Sequence, residues 1–369
     1  MKLLMCAWIG LFLPLTAQAS IDHQQLAAQF DAEFRQEMQK NKIPGGAYAI
    51  VSKGKIIKTG SYGVREVGKP DLVNADTAFR LASVSKTFAG AALVLAEQDQ
   101  KLALQTPIKT YVPELQLKTS SLEQELTVEQ VLSHSSGFWA HAFEDLIEAN
   151  QTPAQILPRL AELAQVCGRC YSYQNVLFGL LQPVIERTTG LQYGDYVQQR
   201  IFSPLAMQHA SIGMAPFLAT TNKAMPHRRA GKGWRVLPIK ANFYRLAPAA
   251  GVNASVNDLA HYVQAMLGAQ PQVFNSLALQ QLQEPLTAIP RKPSWELWQK
   301  FRSTKLWYGR GWRIVAFDQQ KLFYHAGVVD GYRPYIAYSP KADVGLVVLT
   351  NAEVDVSREV AGWFWQQVL

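Results

Sequence analysis

The chain has 369 residues, of which 48% are hydrophobic and 17% are charged. This is the composition of a globular protein, and it excludes an intrinsically disordered chain. The net charge of +8 would attract anionic polymers or lipids. No nucleic-acid-binding motif accompanies that charge, so nucleic acid is not an expected partner.

Residues 1–19 indicate an export signal that is removed by cleavage. Lys2 is followed by an apolar run over residues 3–15, and Ala17 and Ala19 supply the small residues of a cleavage site. The alternative, an uncleaved membrane anchor, is disfavoured because the run is shorter than the ~20 residues that span a bilayer. We therefore expect an exported protein, periplasmic or secreted, that keeps no membrane span after cleavage.

The chain that follows the signal begins with a helix and a hairpin. Residues 21–41 carry apolar side chains at three- and four-residue spacing, which predicts an amphipathic helix packed on a surface. Residues 47–64 consist of two β-rich runs separated by a Lys53-Gly54 turn, which predicts a β-hairpin.

A mainly helical region extends from about residue 81 to about residue 289, and prolines mark its loops. Near its end, residues 247–268 contain a glycine-marked loop followed by an amphipathic helix. Side chains that accept hydrogen bonds from backbone amides favour a helix start near Ser255 or Asn257.

Four further β-rich runs precede a final helix over residues 356–369. The runs cover residues 311–317, 321–327, 332–340 and 344–351. Strands at both ends of the chain, with helices between them, predict an α+β fold: one antiparallel sheet built from both chain ends, flanked by helices, with an inserted mainly helical domain. Residues 20–80 and about 290–369 would form the sheet domain and about 81–289 the insertion, with a site in the cleft between them.

One segment of the helical region is strongly basic. No acidic residue occurs between Tyr196 and Asn257. The cations of this segment are Arg200, Lys223, Arg228, Arg229, Lys232, Arg235, Lys240 and Arg245. We interpret it as a solvated basic loop, and the alternative is a surface that attracts acidic cell-wall polymers, which makes peptidoglycan a candidate partner.

Cys167 and Cys170 form a Cys-Gly-Arg-Cys motif. In an exported protein this spacing favours a structural disulfide over redox chemistry or half of a zinc site. No second ligand pair at suitable spacing occurs among the seven histidines, so no metal is expected.

The segment FRLASVSKTFAGAALVLAEQ, residues 79–98, predicts a buried helix with Lys86 as the only charge between Arg80 and Glu97. Burial of an unpaired ammonium costs several kcal/mol or lowers the pKa of the lysine. Ser83 precedes Lys86 by three residues, so the two side chains share a helix face. A lysine with a lowered pKa can take the proton of a serine hydroxyl, and the Ser83 amide at the helix start can stabilise an oxyanion.

A Ser-x-x-Lys pair alone is weak support for a nucleophilic serine, because Ser52 and Lys55 repeat the pattern elsewhere in the chain. That second pair lies at the predicted hairpin turn, and we interpret it as a bystander. The choice between the two pairs therefore depends on the rest of the sequence.

Six segments, the first of which contains Ser83 and Lys86, occur in an order and spacing that resemble the class C β-lactamase superfamily. They are FRLASVSKTF, LALQTPIKTYVPEL, VLSHSSGF, YSYQN, APAAGVNASVNDL, and FYHAG followed by VGLVVLTN. This superfamily of serine hydrolases also contains D-alanyl-D-alanine carboxypeptidases, penicillin-binding esterases and D-amino-acid peptidases. The likeness extends from about Gly45 to Asn351 and implies a serine β-lactamase/transpeptidase-like fold, with residues 20–369 as a single catalytic unit.

The resemblance implies roles for the first two motifs. Ser83 would be the nucleophile and Lys86 the proton acceptor. Tyr-x-Asn fits Tyr173 and Asn175, and Tyr171 falls where the family carries an aromatic residue. Because a tyrosine between two cations has its phenolate favoured, we expect Tyr173 to shuttle the proton, while Asn175 would hold Lys86 and the substrate amide.

The third motif departs from the lactamases. In the lactamases that this chain resembles, the third motif is Lys-Thr-Gly. The corresponding residues of this chain are His325, Ala326 and Gly327. A histidine is mostly neutral at pH 7 and attracts an anion weakly, which lowers the expectation of strong antibiotic hydrolysis. Gly327 would let a substrate lie against the strand edge, and the Val328 amide would be the second oxyanion donor.

His134 in LSHSSGF could suggest a catalytic triad. The resemblance instead implies that this histidine belongs to a structural loop beneath the site, so we do not assign it a catalytic role.

Three functional hypotheses follow. The first is an exported serine hydrolase that forms an acyl-enzyme at Ser83 and acts on amide or ester bonds of peptides or small molecules, such as cell-wall D-amino-acid peptides. The second is a class C-like β-lactamase, and the third is a non-catalytic protein that binds the cell wall. None of them requires a cofactor.

Overall fold

A computed structural model describes residues 22–290, 305–317 and 320–369 of the chain. The predicted export signal over residues 1–19 lies outside the described residues. Within them, no helix combines the length and the apolar character needed to cross a bilayer.

The strands form one large antiparallel sheet and two small ones. In chain order they are β1 Gly45–Val51, β2 Ile56–Gly63, β3 Phe79–Arg80, β4 Ser211–Ile212, β5 His227–Ala230, β6 Gly233–Val236, β7 Val252–Ala254, β8 Thr287–Ala288, β9 Lys305–Tyr308, β10 Arg313–Phe317, β11 Gln320–Ala326, β12 Tyr335–Ser339 and β13 Val344–Thr350. The large sheet has the order β2-β1-β13-β12-β11-β10-β9-β8, and the small ones are β3-β7-β4 and β5-β6.

Most α-helices lie between β3 and β8 in the chain. They are α1 His23–Lys40, α2 Ser85–Gln98, α3 Ile108–Tyr111, α4 Ser120–Glu125, α5 Val128–Leu132, α6 Glu144–Glu148, α7 Pro153–Ile156, α8 Asn175–Gly179, α9 Leu181–Thr189, α10 Tyr193–Val197, α11 Met214–Ala219, α12 Ala247–Ala250, α13 Val256–Met266, α14 Ser276–Leu282 and α15 Val356–Val368. Short 3-10 helices cover Ala82–Val84, Leu157–Glu162 and Asn242–Arg245, and a π-helix covers Gln198–Phe202.

The large sheet confirms the predicted α+β fold, because it joins strands from both ends of the chain. Within it β1 pairs with β13 in antiparallel register, with Tyr48 opposite Val348. Both strands are buried along their whole length. Such strands need hydrophobic cover on both faces, which explains the apolar runs GGAYAIV and VGLVVLT.

Two cores supply that cover. On one face, Tyr48 of β1 packs against Phe30 of α1, with ring centroids 4.9 Å apart. Phe364 of α15 lies 5.5 Å from the same Phe30 ring. The first and last helices therefore share one face of the sheet, and the larger core, which contains most of α2 and α13, covers the other face.

The helix that carries Lys86 is buried from Ser85 to Ala96. Protein surrounds this helix, and apart from the polar residues of its first turn the buried side chains are apolar. The prediction that a helix covers this whole segment is wrong at its start. Phe79–Arg80 is a strand, and a 3-10 turn over Ala82–Val84 precedes α2. In that turn the backbone of Ala82 adopts a left-handed conformation, with φ +44°.

Local sequence signals that do not depend on distant contacts are confirmed. β1 and β2 form the predicted hairpin, with an irregularity at Val51. The helix after the glycine-marked loop begins at Val256, and Ser255 caps it in a capping box with Asp258. The basic segment is not only a loop as interpreted, because the β5-β6 hairpin lies within it.

Candidate active site

The nucleophile candidate lies on a tight turn that a strand supports from behind. Ser83 is the middle residue of the 3-10 turn before α2. Gly327 passes so close that a Cβ there would lie 2.5 Å from the Leu81 carbonyl oxygen and 3.0 Å from the Ala82 Cβ. A glycine is therefore required at position 327 by the approach of the nucleophile turn itself, a different reason from the substrate contact expected from the sequence.

Lys86 is fully buried, and three oxygen atoms surround its amine. Nζ lies 2.6 Å from Asn175 Oδ1, 2.9 Å from the Ala249 carbonyl oxygen and 3.4 Å from Ser83 Oγ. Burial lowers the pKa of Lys86 far below its ordinary value; Glu144 opposes this effect and Arg313 adds to it. A neutral amine can thus face the serine hydroxyl at physiological pH.

Tyr173 lies beside this pair. Its hydroxyl is hydrogen-bonded to the Ser83 side chain, and Lys86 Nζ lies 4.8 Å from the centre of its ring. The expectation that neighbouring cations favour its phenolate is wrong, because burial raises the pKa of Tyr173 more than Arg313 and Ser83 lower it. The phenol is neutral, so it can donate a proton but is a poor base.

His134 supports Tyr173 from below. The imidazole is buried, and its ring centre lies 4.2 Å from that of Tyr173. Its Nδ1 accepts a hydrogen bond from the Gln174 amide at 3.3 Å. Burial lowers the pKa of His134, and Lys86 lowers it further. This neutral ring packs against the catalytic candidates, as the structural interpretation predicts.

Asn175 connects Lys86 to a carboxylate that the sequence analysis did not identify. Its side-chain oxygen accepts from Lys86, while Nδ2 donates to Glu144 Oε1 at 2.6 Å. His141 Nδ1 lies 2.9 Å from the same carboxylate oxygen. Glu144 and His141 both line the cleft above Ser83.

His325 does not face this cleft. It is 1% exposed, and its Nδ1 lies 2.9 Å from the Ala326 carbonyl oxygen. A carbonyl can only accept, so Nδ1 carries the proton and Nε2 accepts from the Tyr308 hydroxyl at 3.1 Å. Burial, then Arg313 and Lys86, hold the pKa of His325 well below its ordinary value. The geometry therefore leaves no ring nitrogen of His325 for an anion in the cleft.

Arg313 supplies the cation that the His-Ala-Gly motif lacks. It lines the cleft, and its guanidinium carbon lies 5.5 Å from the Tyr173 ring centre and 5.8 Å from that of Tyr308. None of the ion pairs within the described residues involves Arg313. The sequence contained one weak signal for it, an arginine beginning the otherwise apolar run RIVAF.

The cleft has a volume of about 1040 Å³. Its lining includes Ser83, Tyr171, Tyr173, Asn175, Arg313 and Val328. Among the hydrogen bonds of the described residues, the backbone amides of Ser83 and Val328 have no acceptor. Two free amides at one cleft can bind an oxyanion. The Gly327 amide cannot join them because it donates to the Pro334 carbonyl at 2.8 Å.

A disulfide lies just before the tyrosine of the site. Cys167 and Cys170 are bonded in the structure. Their loop packs on the loop of His134: a Cβ on Gly137 would lie 2.1 Å from the Cys167 carbonyl oxygen. The Ser172 amide donates to the His134 carbonyl at 2.7 Å. The cross-link thus tightens the segment that leads into the site.

Three of the eight cations of the basic segment pair with carboxylates among the described residues. Arg200 pairs with Asp99, Arg228 with Glu353 and Lys240 with Asp330, whereas Arg245 contacts the uncharged side chain of Asn150. Only part of the charge excess seen in the sequence is therefore balanced by nearby carboxylates on the folded surface.

The Beta-lactamase family matches this chain over residues 30–369. Two solved structures have the same fold. An octameric penicillin-binding protein homologue from Pyrococcus abyssi aligns with a TM-score of 0.78 and 22% identity, over 92% of this chain and 77% of that one. A mutant class C beta-lactamase aligns with a TM-score of 0.74 and 22% identity, over 94% of this chain and 98% of that one.

Among curated proteins, the chain is similar to Protein flp from Staphylococcus aureus strain COL, with 26% identity over 89% of this chain. It is also similar to Unguisins hydrolase ungD' from Aspergillus campestris, with 25% identity over 91% of this chain. The chain spans 63% of the length of each of these relatives. With its fold and the match over residues 30–369, the chain belongs to the beta-lactamase family of serine hydrolases.

Proposed function

We propose that this protein is an exported serine hydrolase that forms an acyl-enzyme at Ser83 and acts on amide or ester bonds. The observation that carries the proposal is the buried amine of Lys86, which lies 3.4 Å from Ser83 Oγ inside a cleft of about 1040 Å³. A buried amine with a lowered pKa is costly for a binding protein and useful to a nucleophile.

Acylation would involve three proton transfers. The neutral amine of Lys86 takes the proton of Ser83 while Oγ forms a bond to the substrate carbonyl carbon. The carbonyl oxygen becomes an oxyanion held by the amides of Ser83 and Val328. When the bond to the leaving group breaks, the phenol of Tyr173 donates its proton to that group and regains one from Lys86, so no net charge remains.

Deacylation would reverse the direction of proton transfer. A water molecule takes the place of the leaving group, gives a proton to the neutral amine of Lys86, and attacks the ester carbon through its oxygen. The same two amides hold the second oxyanion, and Ser83 recovers its proton from Lys86 through the 3.4 Å contact. The product is a carboxylic acid.

Arg313 supports a preference for substrates that carry a carboxylate near the scissile bond. A guanidinium binds carboxylates with two parallel hydrogen bonds and stays charged at every physiological pH. It lies beside Tyr173, which places it next to the reacting atoms. D-Amino-acid peptides of the cell wall and small anionic esters both fit this description.

The disulfide and the relatives add further support. A disulfide between Cys167 and Cys170 is typical of oxidising compartments, in line with the export signal expected at residues 1–19. The name of the Aspergillus relative describes a hydrolase, and that of the Pyrococcus structure a penicillin-binding protein homologue. Both agree with acyl transfer to a serine.

The test is labelling followed by turnover. A fluorescent penicillin and a fluorophosphonate are incubated with the protein and with Ser83→Ala, and turnover is then measured on p-nitrophenyl esters, D-alanyl peptides and β-lactams. We expect label on the native protein only, with ester or peptide cleavage faster than cephalosporin cleavage. Faster cephalosporin turnover would favour the β-lactamase, and absence of label from both probes would favour the wall-binding protein.

A further inference from the structure

The amine of Lys86 has a defined number of hydrogen-bonding directions. A neutral amine carries two N–H donors and one lone pair, and three oxygen atoms lie around Nζ. The Ala249 carbonyl can only accept, so it takes one N–H at 2.9 Å. The remaining N–H and the lone pair are divided between Asn175 at 2.6 Å and Ser83 at 3.4 Å.

The orientation of the Asn175 amide decides that division. With its oxygen toward Lys86, Asn175 takes the second N–H, and the lone pair points at the hydroxyl of Ser83. With its nitrogen toward Lys86, Asn175 would donate to the lone pair, and an N–H would point at Ser83 instead. Only the first arrangement makes the lysine a base for the serine.

Glu144 determines which arrangement exists. An ionised carboxylate can only accept hydrogen bonds, and Oε1 of Glu144 lies 2.6 Å from Asn175 Nδ2. A flipped amide would place two acceptor oxygens against each other at this distance. His141, 2.9 Å from the same oxygen, holds the carboxylate in place.

We propose that Glu144 is a positioning residue that, by fixing the orientation of the Asn175 amide, directs the lone pair of Lys86 at Ser83. This inference rests on the proposed function, because it assigns Lys86 the role of base. Glu144 acts through Asn175 and does not touch the reacting atoms.

Glu144 also affects the pKa of Lys86 through its charge, and this effect can be measured separately from its effect on the Asn175 amide. Glu144 of α6 raises the pKa of Lys86, and Arg313 of β10 lowers it. The uncharged rings of Tyr173, His134 and His325 complete the titratable surroundings. Removal of the Glu144 charge would therefore move the acidic limb of the pH–rate profile to lower pH.

The experiment measures the rate of fluorophosphonate labelling of Ser83 between pH 5 and pH 10. Fluoride leaves without a proton, so the rate depends on the base and not on Tyr173 as an acid. Glu144→Met cannot accept a hydrogen bond, Glu144→Gln can still accept through its carbonyl, and Glu148→Gln is the matched control. Glu148 lies four residues further along α6 and lines the same cleft.

We expect Glu144→Met to lower the plateau rate by about tenfold, a part of the 10²–10⁴-fold that a general base contributes. Its acidic limb should move to lower pH. Glu144→Gln should show the same limb shift with a plateau within about threefold of native, and Glu148→Gln should match the native profile.

A native plateau in Glu144→Met, or an equal loss in Glu148→Gln, would overturn the inference while leaving the hydrolase intact. If Glu144→Met does not fold, Glu144→Ala, which also cannot accept a hydrogen bond, replaces it, and a native plateau in that variant would overturn the inference. Failure of the native protein to label at all would instead contradict the proposed function, and the positioning role with it.

Discussion

The amine of Lys86 and the hydroxyl of Ser83 lie 3.4 Å apart at the buried start of α2. The distance is longer than the contacts of the same amine to Asn175 and Ala249. The base, Lys86, therefore lies beside the hydroxyl of Ser83 without a strong hydrogen bond that would have to be broken before the serine reacts.

Lys86 should leave a signature in the pH dependence of stability. Its pKa is lowered in the folded protein, so between the folded and unfolded pKa values the unfolded chain binds one more proton. Stability therefore rises with pH in this window and is lost as pH falls toward the folded pKa. Between pH 7 and pH 9, the free energy of unfolding should increase by up to about 1.4 kcal/mol per pH unit more in the native protein than in Lys86→Met.

Urea denaturation of both proteins at several pH values measures this difference. All other groups are common to the pair and cancel. Parallel curves for the two proteins would mean that the folded lysine keeps its proton.

Arg313→Gln should affect both binding and base strength. Without the guanidinium, the KM of p-nitrophenyl esters that carry a carboxylate should rise by about tenfold, and that of neutral esters should hardly change. Because Arg313 lowers the pKa of Lys86, the acidic limb of the rate profile should also move to higher pH.

Lys240→Gln is the matched control for Arg313, since it removes a cation from the same cleft that Asp330 already neutralises. Steady-state kinetics on both ester classes separate the two variants. An equal effect of both variants on anionic esters would indicate only the general charge of the cleft.

Gly327→Ala tests the close approach of β11 and the nucleophile turn. The new Cβ would lie 2.5 Å from the Leu81 carbonyl oxygen, so the turn must shift. We expect a loss of about 2–3 kcal/mol in the free energy of unfolding and slower acylation. Gly54→Ala, where a Cβ meets open space, should leave both unchanged, and similar melting temperatures for the two variants would contradict the packing described here.

The disulfide should contribute to both stability and activity. Loss of a cross-link over so short a loop costs about 2 kcal/mol in the chain-entropy account. Cys167→Ser combined with Cys170→Ser should therefore lower the melting temperature and slow labelling of Ser83. Dithiothreitol should reproduce the effect in the native protein and have none in the double variant; a fully active double variant would exclude a role in holding the site.

Features that depend on neighbouring residues in the chain could be predicted from the sequence. The β1-β2 hairpin and the cap at Ser255 are such features. The sheet joins distant strands, but the β-rich runs at both ends of the chain were themselves local signals that predicted it. The Ser83 and Lys86 pair was visible because a lone charge in an apolar helix is unusual. The boundaries between sheet and helical domains stay a prediction.

Features created by the packing of distant segments could not be predicted. Tyr308 lies on β9, a strand that the sequence did not predict, and its hydroxyl occupies Nε2 of His325. The other ring nitrogen of His325 is bonded to the Ala326 carbonyl. Tyr173 was expected to ionise because cations lie nearby, yet burial has the larger effect on its pKa. Arg313 and Glu144 belong to no motif, and only the folded chain brings them to the cleft.

The most direct measurement is mass spectrometry of the protein after incubation with a fluorophosphonate. We predict one adduct, on the peptide that contains Ser83, and none in Ser83→Ala, whose melting temperature should match that of the native protein. Ser52→Ala, in the second Ser-x-x-Lys pattern, should label normally. Label on another residue, or persistent label in Ser83→Ala, would contradict the account of a serine activated by the amine of Lys86.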